Sequence, residues 1–139
     1  MRMLSLILAA FMILLFNSSA VVSATMSPEK AMVYIISPAD GATVPSTFTV
    51  NFGLKGMGVA PAGMDKKNTG HHHLLIDAKE LPDLSQPLGK NVKHFGGGQT
   101  EAELTLSKGE HTLQLILGDK LHSPHKPPVV SKKITIEVK

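Results

Sequence analysis

Three consecutive histidines stand at the start of an apolar run in the stretch NTGHHHLLID, residues 68–77. Side chains two positions apart on a β-strand point to the same face, about 6.5–7 Å apart along the chain. His71 and His73 therefore form a chelating pair if this stretch is a strand, and His72 points to the other face. Imidazole nitrogen is a ligand that suits copper, zinc and nickel. The spacing predicts a transition-metal site, with His72 as a hydrogen-bonded structural residue.

The other four of the seven histidines follow within the next fifty or so positions, in HFGGG, in EHTLQ and in LHSPHKPP. In an antiparallel Greek-key sandwich, alternate connections between strands gather at one end. The HFGGG and LHSPHKPP connections then lie at the end where the triple histidine begins. His111 opens a strand at the opposite end, roughly 20 Å away, and we expect it to be structural. The predicted metal ligands are His71, His73, His94, His122 and His125.

The identity of the metal follows from the available donor atoms. The chain has no cysteine, so the predicted site is rich in nitrogen, with Asp77, Asp119 or water as candidates to complete it. Met57 and Met64 precede the triple histidine in the same connection, and thioether sulfur selects Cu(I). Copper is therefore the favoured metal, with zinc and nickel as alternatives. Because methionine also fills gaps in packing, the roles of Met57, Met64 and His72 stay open.

Short apolar or alternating runs recur along the chain and are separated by turn residues such as PADG and SKG. In residues 47–54, for example, Phe48, Val50 and Phe52 share one face. About seven antiparallel strands predict an all-β, immunoglobulin-like β-sandwich, and a small barrel is the alternative. The predicted strands are residues 31–37, 47–54, 71–77, a short strand near 87–93, 100–106, 110–117 and 129–138.

The first 24 residues have the layout of a secretory signal peptide. Arg2 precedes an unbroken apolar run, residues 4–16, and small residues ending in VSA follow. The run is shorter than the ~20 residues that span a bilayer. We expect cleavage after Ala24, a single domain over residues 25–139, and a periplasmic or secreted protein without membrane association after cleavage. A retained membrane anchor is the alternative.

Composition excludes some classes of function. The formal charge is only +3, aromatic residues make up 4% of the chain, and there is no tryptophan. A nucleic-acid groove requires clustered basic residues and aromatic platforms, so no nucleic-acid partner is predicted. The sequence also lacks the GxSxG motif of a serine hydrolase. Three histidines plus water is a catalytic zinc arrangement, so a metal-dependent hydrolase is one alternative, although no general base is indicated.

The favoured function is therefore metal binding by an exported protein, for buffering, delivery or sensing. The main alternative is an immunoglobulin-like interaction module whose histidine-rich end recognises another envelope protein or a cell-wall glycan. Whether any reaction is catalysed stays open, and a non-enzymatic role is favoured.

Several segments resemble a known bacterial family. They are SPADGATV, FGLKGMGVAPAG, NTGHHHLLID, HFGGGQTEAELTLSKGEHTLQLILGD and HSPHKPPVVSKKITIEV. Together they are similar to the bacterial domain of unknown function 4399, over about residues 33–138. The resemblance implies a small exported protein of one domain. It implies no catalytic or binding residue, so the metal site is inferred from the histidine spacing.

Overall fold

The computed structural model describes residues 23–139, in which nine β-strands follow one another. Most of the predicted signal peptide, residues 1–22, lies outside the described part. Between residues 23 and 139 there is no helix long and apolar enough to cross a bilayer. The strands are β1 (Met32–Ser37), β2 (Thr43–Val44), β3 (Thr47–Lys55), β4 (Gly58–Val59), β5 (Thr69–Ile76), β6 (Lys93–His94), β7 (Glu101–Thr105), β8 (Gly109–Gly118) and β9 (Ile134–Val138).

The strands form two sheets. The smaller has the order β1-β3-β7, and the larger has the order β2-β9-β8-β5-β4, with β6 paired to β5. All pairings among the longer strands are antiparallel, whereas the two-residue strands β2 and β4 pair in parallel. The prediction of an all-β, immunoglobulin-like sandwich is confirmed.

The main core lies between the sheets. The alternation in β3 buries Phe48, Val50 and Phe52, which pack against Leu74 of β5 and the leucines of β8. Removing this apolar surface from water is the main favourable term in folding. The buried members of this core are Val33, Phe48, Val50, Phe52, Leu74, Phe95, Leu104, Leu113, Leu115, Leu117, Val129, Ile136 and Val138.

The outer face of the larger sheet is covered as well. Leu75 of β5 and Ile116 of β8 form a second cluster with Val92, and residues from the connection between β5 and β6 pack over it. Strand β5 is therefore buried on both faces, and positions 70–75 are all buried. This double burial explains why the run HHHLLI lacks the polar alternation of a half-exposed strand.

Two predicted strands are shorter in the structure. Near residues 87–93 only Lys93–His94 forms a strand, because Pro87 has no N–H and a turn follows, in which the N–H of Val92 donates to the Gly89 carbonyl at 3.3 Å. The last strand begins at Ile134, five residues after the predicted start. Just before it, the N–H of Leu115 donates to Oγ of Ser131 at 2.8 Å, so a side chain replaces the backbone acceptor and interrupts the ladder.

His111 lies at the other end of the larger sheet from the triple histidine, as predicted. Its Nδ1–H donates to the Asp77 carboxylate at 2.7 Å and its Nε2–H donates to the Ser107 carbonyl at 2.8 Å. The hydrogen bond with Asp77, followed by that with Ser107, raises the pKa of His111. Two acceptors suit the doubly protonated ring, and the side chain is 12% exposed. His111 is thus a structural residue that joins the end of β5 to the start of β8.

Candidate metal centre

Strand β5 presents His71 and His73 on the outer face of the larger sheet. Its neighbour β8 places Gly118 opposite His71 and Ile116 opposite His73. On its other side, β6 places His94 opposite His73. The strand alternation predicted for the triple histidine is present, since His72 points inward and its ring lies 5.0 Å from that of Phe52.

Four histidines come together at this position. His71, His73, His94 and His122 each offer one ring nitrogen, and these nitrogens lie within 4.8 Å of one another. Nε2 of His71 is 3.1 Å from Nδ1 of His122 and 3.2 Å from Nε2 of His94. We call these four residues the imidazole cluster. A tetrahedral ion with bonds of about 2.0–2.1 Å separates its ligand atoms by about 3.3–3.4 Å, so both spacings suit a shared metal ion.

The buried half of the imidazole cluster has ring nitrogens without protein partners. His71 and His73 are 0% and 1% exposed. Neither ring nitrogen of His73, nor Nδ1 of His71, has a hydrogen-bond partner among the described residues. A buried polar atom without a partner costs about 1–3 kcal/mol, so native structures keep few of them. The unpartnered ring of His73 is the observation that points most directly to a ligand, because His71 already faces the cluster through its other nitrogen, Nε2.

Glycines shape the space around two of the rings. A Cβ on Gly118 would lie 2.5 Å from Cε1 and 2.9 Å from Nδ1 of His73, and a Cβ on Gly96 would collide with the ring of His94. Real Cβ atoms do not approach other atoms this closely, so both imidazoles occupy space that only glycine leaves. The sequence contains both glycines next to strand ends, but only the fold shows that they face histidines.

Burial keeps the inner imidazoles neutral. Loss of hydration lowers the pKa of His71 to about 4, and positive charge on His122 and His94 would lower it further, whereas Asp119 opposes the shift. Burial, followed by His71, His94 and His122, lowers the pKa of His73 to about 3. The same causes, burial and then His122, lower the pKa of the exposed His94. Neutral imidazoles carry the free lone pairs that a metal ion needs.

The fifth predicted ligand, His125, lies outside the imidazole cluster. It is 2% exposed, and its Nε2–H donates to the Thr69 carbonyl at 3.1 Å. Its ring packs on Gly70, where a Cβ would lie 2.9 Å from Cε1 of His125. The two histidines of the loop between β8 and β9 therefore point to different places. His122 turns toward the imidazole cluster, and His125 turns toward the start of β5.

The remaining candidates also have other surroundings. Asp77 pairs with His111, and Asp119 accepts hydrogen bonds from its own loop. Met57 packs against the main core, and Met64 is 50% exposed. Nδ1–H of His72 donates to the Gln99 carbonyl at 3.2 Å, and burial lowers the pKa of His72. The candidate centre thus consists of imidazole nitrogen alone.

Comparison with known proteins identifies the family. The family described as Domain of unknown function (DUF4399) matches residues 50–139, which include the whole imidazole cluster. The chain belongs to this family. The resemblance seen in the sequence is confirmed, although the matched segment begins at residue 50 and not near residue 33.

No curated protein matches the chain. Among solved structures, one of the Clostridium thermocellum CbhA fibronectin(III)-like modules is similar, with 12% sequence identity and a TM-score of 0.36. The match covers 77% of this chain and 93% of that one.

Acid should destabilise the metal-free protein. In the unfolded chain imidazole titrates near pH 6.5, whereas the folded pKa is about 4 for His71 and about 3 for His73. Between these pH values the unfolded state binds more protons than the folded state. The stability contributed by these neutral rings is complete above about pH 6.5 and is lost as the pH falls toward 4. Urea denaturation at about pH 7.5, 6 and 4.5 measures the slope. His73→Leu should flatten it, and an equal slope in both proteins would contradict the assignment.

Gly118→Ala should disturb the imidazole cluster. Its Cβ must displace the ring of His73, and such overpacking costs typically about 1–3 kcal/mol. Chemical denaturation should therefore show a loss of that size. Gly89→Ala is the matched control, because nothing lies within 4 Å of the added Cβ there. If both variants were as stable as the parent, the close packing of His73 on Gly118 would be refuted.

Proposed function

We propose that this protein binds one transition-metal ion through the imidazole cluster and serves in buffering, delivery or sensing of that metal. The observation that carries the proposal is the convergence of four ring nitrogens within 4.8 Å, together with the buried ring of His73, neither of whose nitrogens has a hydrogen-bond partner among the described residues. A histidine cluster that serves only as a polar surface would not bury the ring of His73 without any hydrogen bond.

Copper is the favoured metal, with zinc and nickel as alternatives. Among first-row divalent ions, Cu²⁺ has the highest affinity for a given set of nitrogen ligands. The candidate centre contains only imidazole nitrogen, which suits copper, zinc and nickel and does not suit calcium or magnesium. Copper is favoured by these nitrogens alone, because Met57 packs against the core and supplies no thioether to the cluster.

The burial gradient across the cluster favours reversible binding. His71 and His73 form a buried inner pair, whereas His122 is partly exposed and His94 is exposed. An ion can therefore enter and leave from the side of His94 without opening the sandwich. This arrangement suits exchange of the ion with a partner or with solvent.

Four imidazoles also favour binding over hydrolysis. A catalytic zinc site usually keeps three protein ligands and leaves the fourth position to water. In the cluster the fourth position has its own imidazole, and Asp119, the nearby acid, is engaged with its loop. A metal-binding role is therefore better supported than a metal-dependent hydrolase.

We further propose that the protein acts in the periplasm or outside the cell. The basic start, the apolar run at residues 4–16 and the small residues before Ala24 support export.

Calorimetric titration of the tag-free protein with Cu(II), Zn(II) and Ni(II) at about pH 7.5 tests the function. We expect one ion per chain and a dissociation constant tighter than about 10 μM for at least one metal. His94→Ala should weaken binding by about tenfold or more, because it removes one of four ligands from the surface without leaving a hole in the core. His111→Ala is the matched control and should bind like the parent.

Two results would contradict this assignment. If none of the three metals binds better than about 10 μM, metal binding fails and an immunoglobulin-like interaction module becomes the better interpretation. If His125→Gln abolishes binding while His94→Ala does not, the metal lies elsewhere than at the imidazole cluster.

Export predicts a defined amino terminus. Mass spectrometry of the protein from the cell envelope should find Thr25, or a residue within a few positions of it, as the first residue. Recovery of a chain that retains Arg2 would exclude a cleaved signal peptide and favour a retained anchor.

A further inference from the structure

The loop that carries His122 is organised by one carboxylate. Oδ1 of Asp119 accepts hydrogen bonds from the N–H groups of Leu121 and Ser123 at 2.9 and 3.0 Å. The N–H of Asp119 donates to the Ser123 carbonyl at 2.8 Å, and the N–H of His122 donates to the Asp119 carbonyl at 2.9 Å. Asp119 is 3% exposed. These four bonds close the loop around the side chain of Asp119.

The loop conformation determines where the His122 ring lies. The φ angle of His122 is 63°, in the left-handed region that residues with a Cβ rarely adopt. Such a conformation persists only when the surrounding bonds enforce it. In this conformation the ring of His122 reaches His71 and lies 4.5 Å, centroid to centroid, from that of His94. A change in the loop would therefore move one of the four imidazoles.

A segment from the start of the described chain is fastened to the same loop. We call residues 25–27 the amino-terminal strap. The hydroxyl of Thr25 donates to Oδ2 of Asp119 at 2.7 Å, across 94 positions of sequence. The N–H of Lys126 donates to the Thr25 carbonyl at 2.9 Å, and the N–H of Ser27 donates to the Lys126 carbonyl at 3.0 Å. The strap is thus bonded to both Asp119 and the segment that follows His122.

We propose that Thr25 and Asp119 are positioning residues of the metal centre, with Thr25 orienting the Asp119 carboxylate and Asp119 holding His122 in place. This inference rests on the metal-binding function proposed above. Asp119 acts through His122 and not as a ligand, because both of its carboxylate oxygens are already engaged by hydrogen-bond donors.

The amino-terminal strap should remain in the protein after the signal peptide is cleaved. Thr25 is the first residue after the predicted cleavage position, so cleavage after Ala24 leaves its hydroxyl in place. Two further bonds support the loop independently of the strap, from the N–H of Gly63 to the Lys120 carbonyl and from the N–H of Leu88 to the His122 carbonyl. Loss of the Thr25 hydroxyl should therefore shift His122 without unfolding the loop.

The test compares Thr25→Val with Thr25→Ser in the processed protein. Valine has the shape of threonine without the hydroxyl, and serine restores the hydroxyl. Thr25→Val should weaken Cu(II) binding about tenfold, as loss of an outer hydrogen bond at a metal site does. It should also change the Cu(II) electron paramagnetic resonance spectrum, because one nitrogen ligand is displaced. Thr25→Ser should restore both the affinity and the spectrum.

Thr47→Val is the matched control, since it removes a threonine hydroxyl bond, to Thr105 at 3.0 Å, on the smaller sheet. It should leave affinity and spectrum unchanged. The inference is overturned if Thr25→Val binds Cu(II) with the affinity and spectrum of the parent, or if its effect equals that of Thr47→Val, or if serine fails to rescue. In those cases the parent still binds metal and the proposed function stands. If the parent binds no metal, the proposed function and this inference both fail.

Discussion

Strand β5 is covered on both faces, and its three consecutive histidines must therefore be accommodated away from water. Burying a charged imidazole is costly, so the folded state holds His71 and His73 in the neutral form. Neutral rings still need partners for their nitrogens. Nδ1–H of His72 donates to the Gln99 carbonyl and its Nε2 has no partner, whereas neither ring nitrogen of His73 has a partner among the described residues. A metal ion bound to His71 and His73 would offset that cost, so the burial of these two rings would itself favour ligand binding.

The pKa of histidine is shifted in opposite directions at the two ends of the β5–β8 pair. At one end, a carboxylate and a carbonyl accept hydrogen bonds from His111 and raise its pKa. At the other end, burial and neighbouring imidazoles lower the pKa of His71 and His73. The same residue type is thus held more easily in its protonated form at one end and in its neutral form at the other, because of burial and the charge of its partners. A fall in pH therefore favours the hydrogen bonds of His111 and disfavours the burial of His71 and His73.

The imidazole cluster depends on segments that are far apart in the chain. Strand β5 supplies two rings, β6 supplies His94, and the loop after β8 supplies His122. The amino-terminal strap reaches that loop through Thr25 and Asp119. A site assembled in this way exists only when the sandwich is complete, so metal binding and folding should stabilise each other. The cluster also depends on Gly118 and Gly96, since each leaves the space that an imidazole fills.

The features that could be predicted from the sequence are those that depend on local interactions. The alternation of Phe48, Val50 and Phe52, the turn residues and the length of the apolar runs predicted the β-sandwich, because these patterns reflect the two-residue period of a strand. The same period placed His71 and His73 on one face and His72 on the other. The convergence of loops in a sandwich indicated His94 and His122.

Contacts between residues that are far apart in the chain were determined only by the tertiary structure. His122 and His125 are three positions apart in one loop, and only the left-handed turn at His122 directs one to the imidazole cluster and the other to the Thr69 carbonyl. The role of Asp119 depends on a hydroxyl 94 positions earlier, and that of Gly118 depends on a ring across the sheet. No local period encodes such contacts, because they arise only when separate segments pack together.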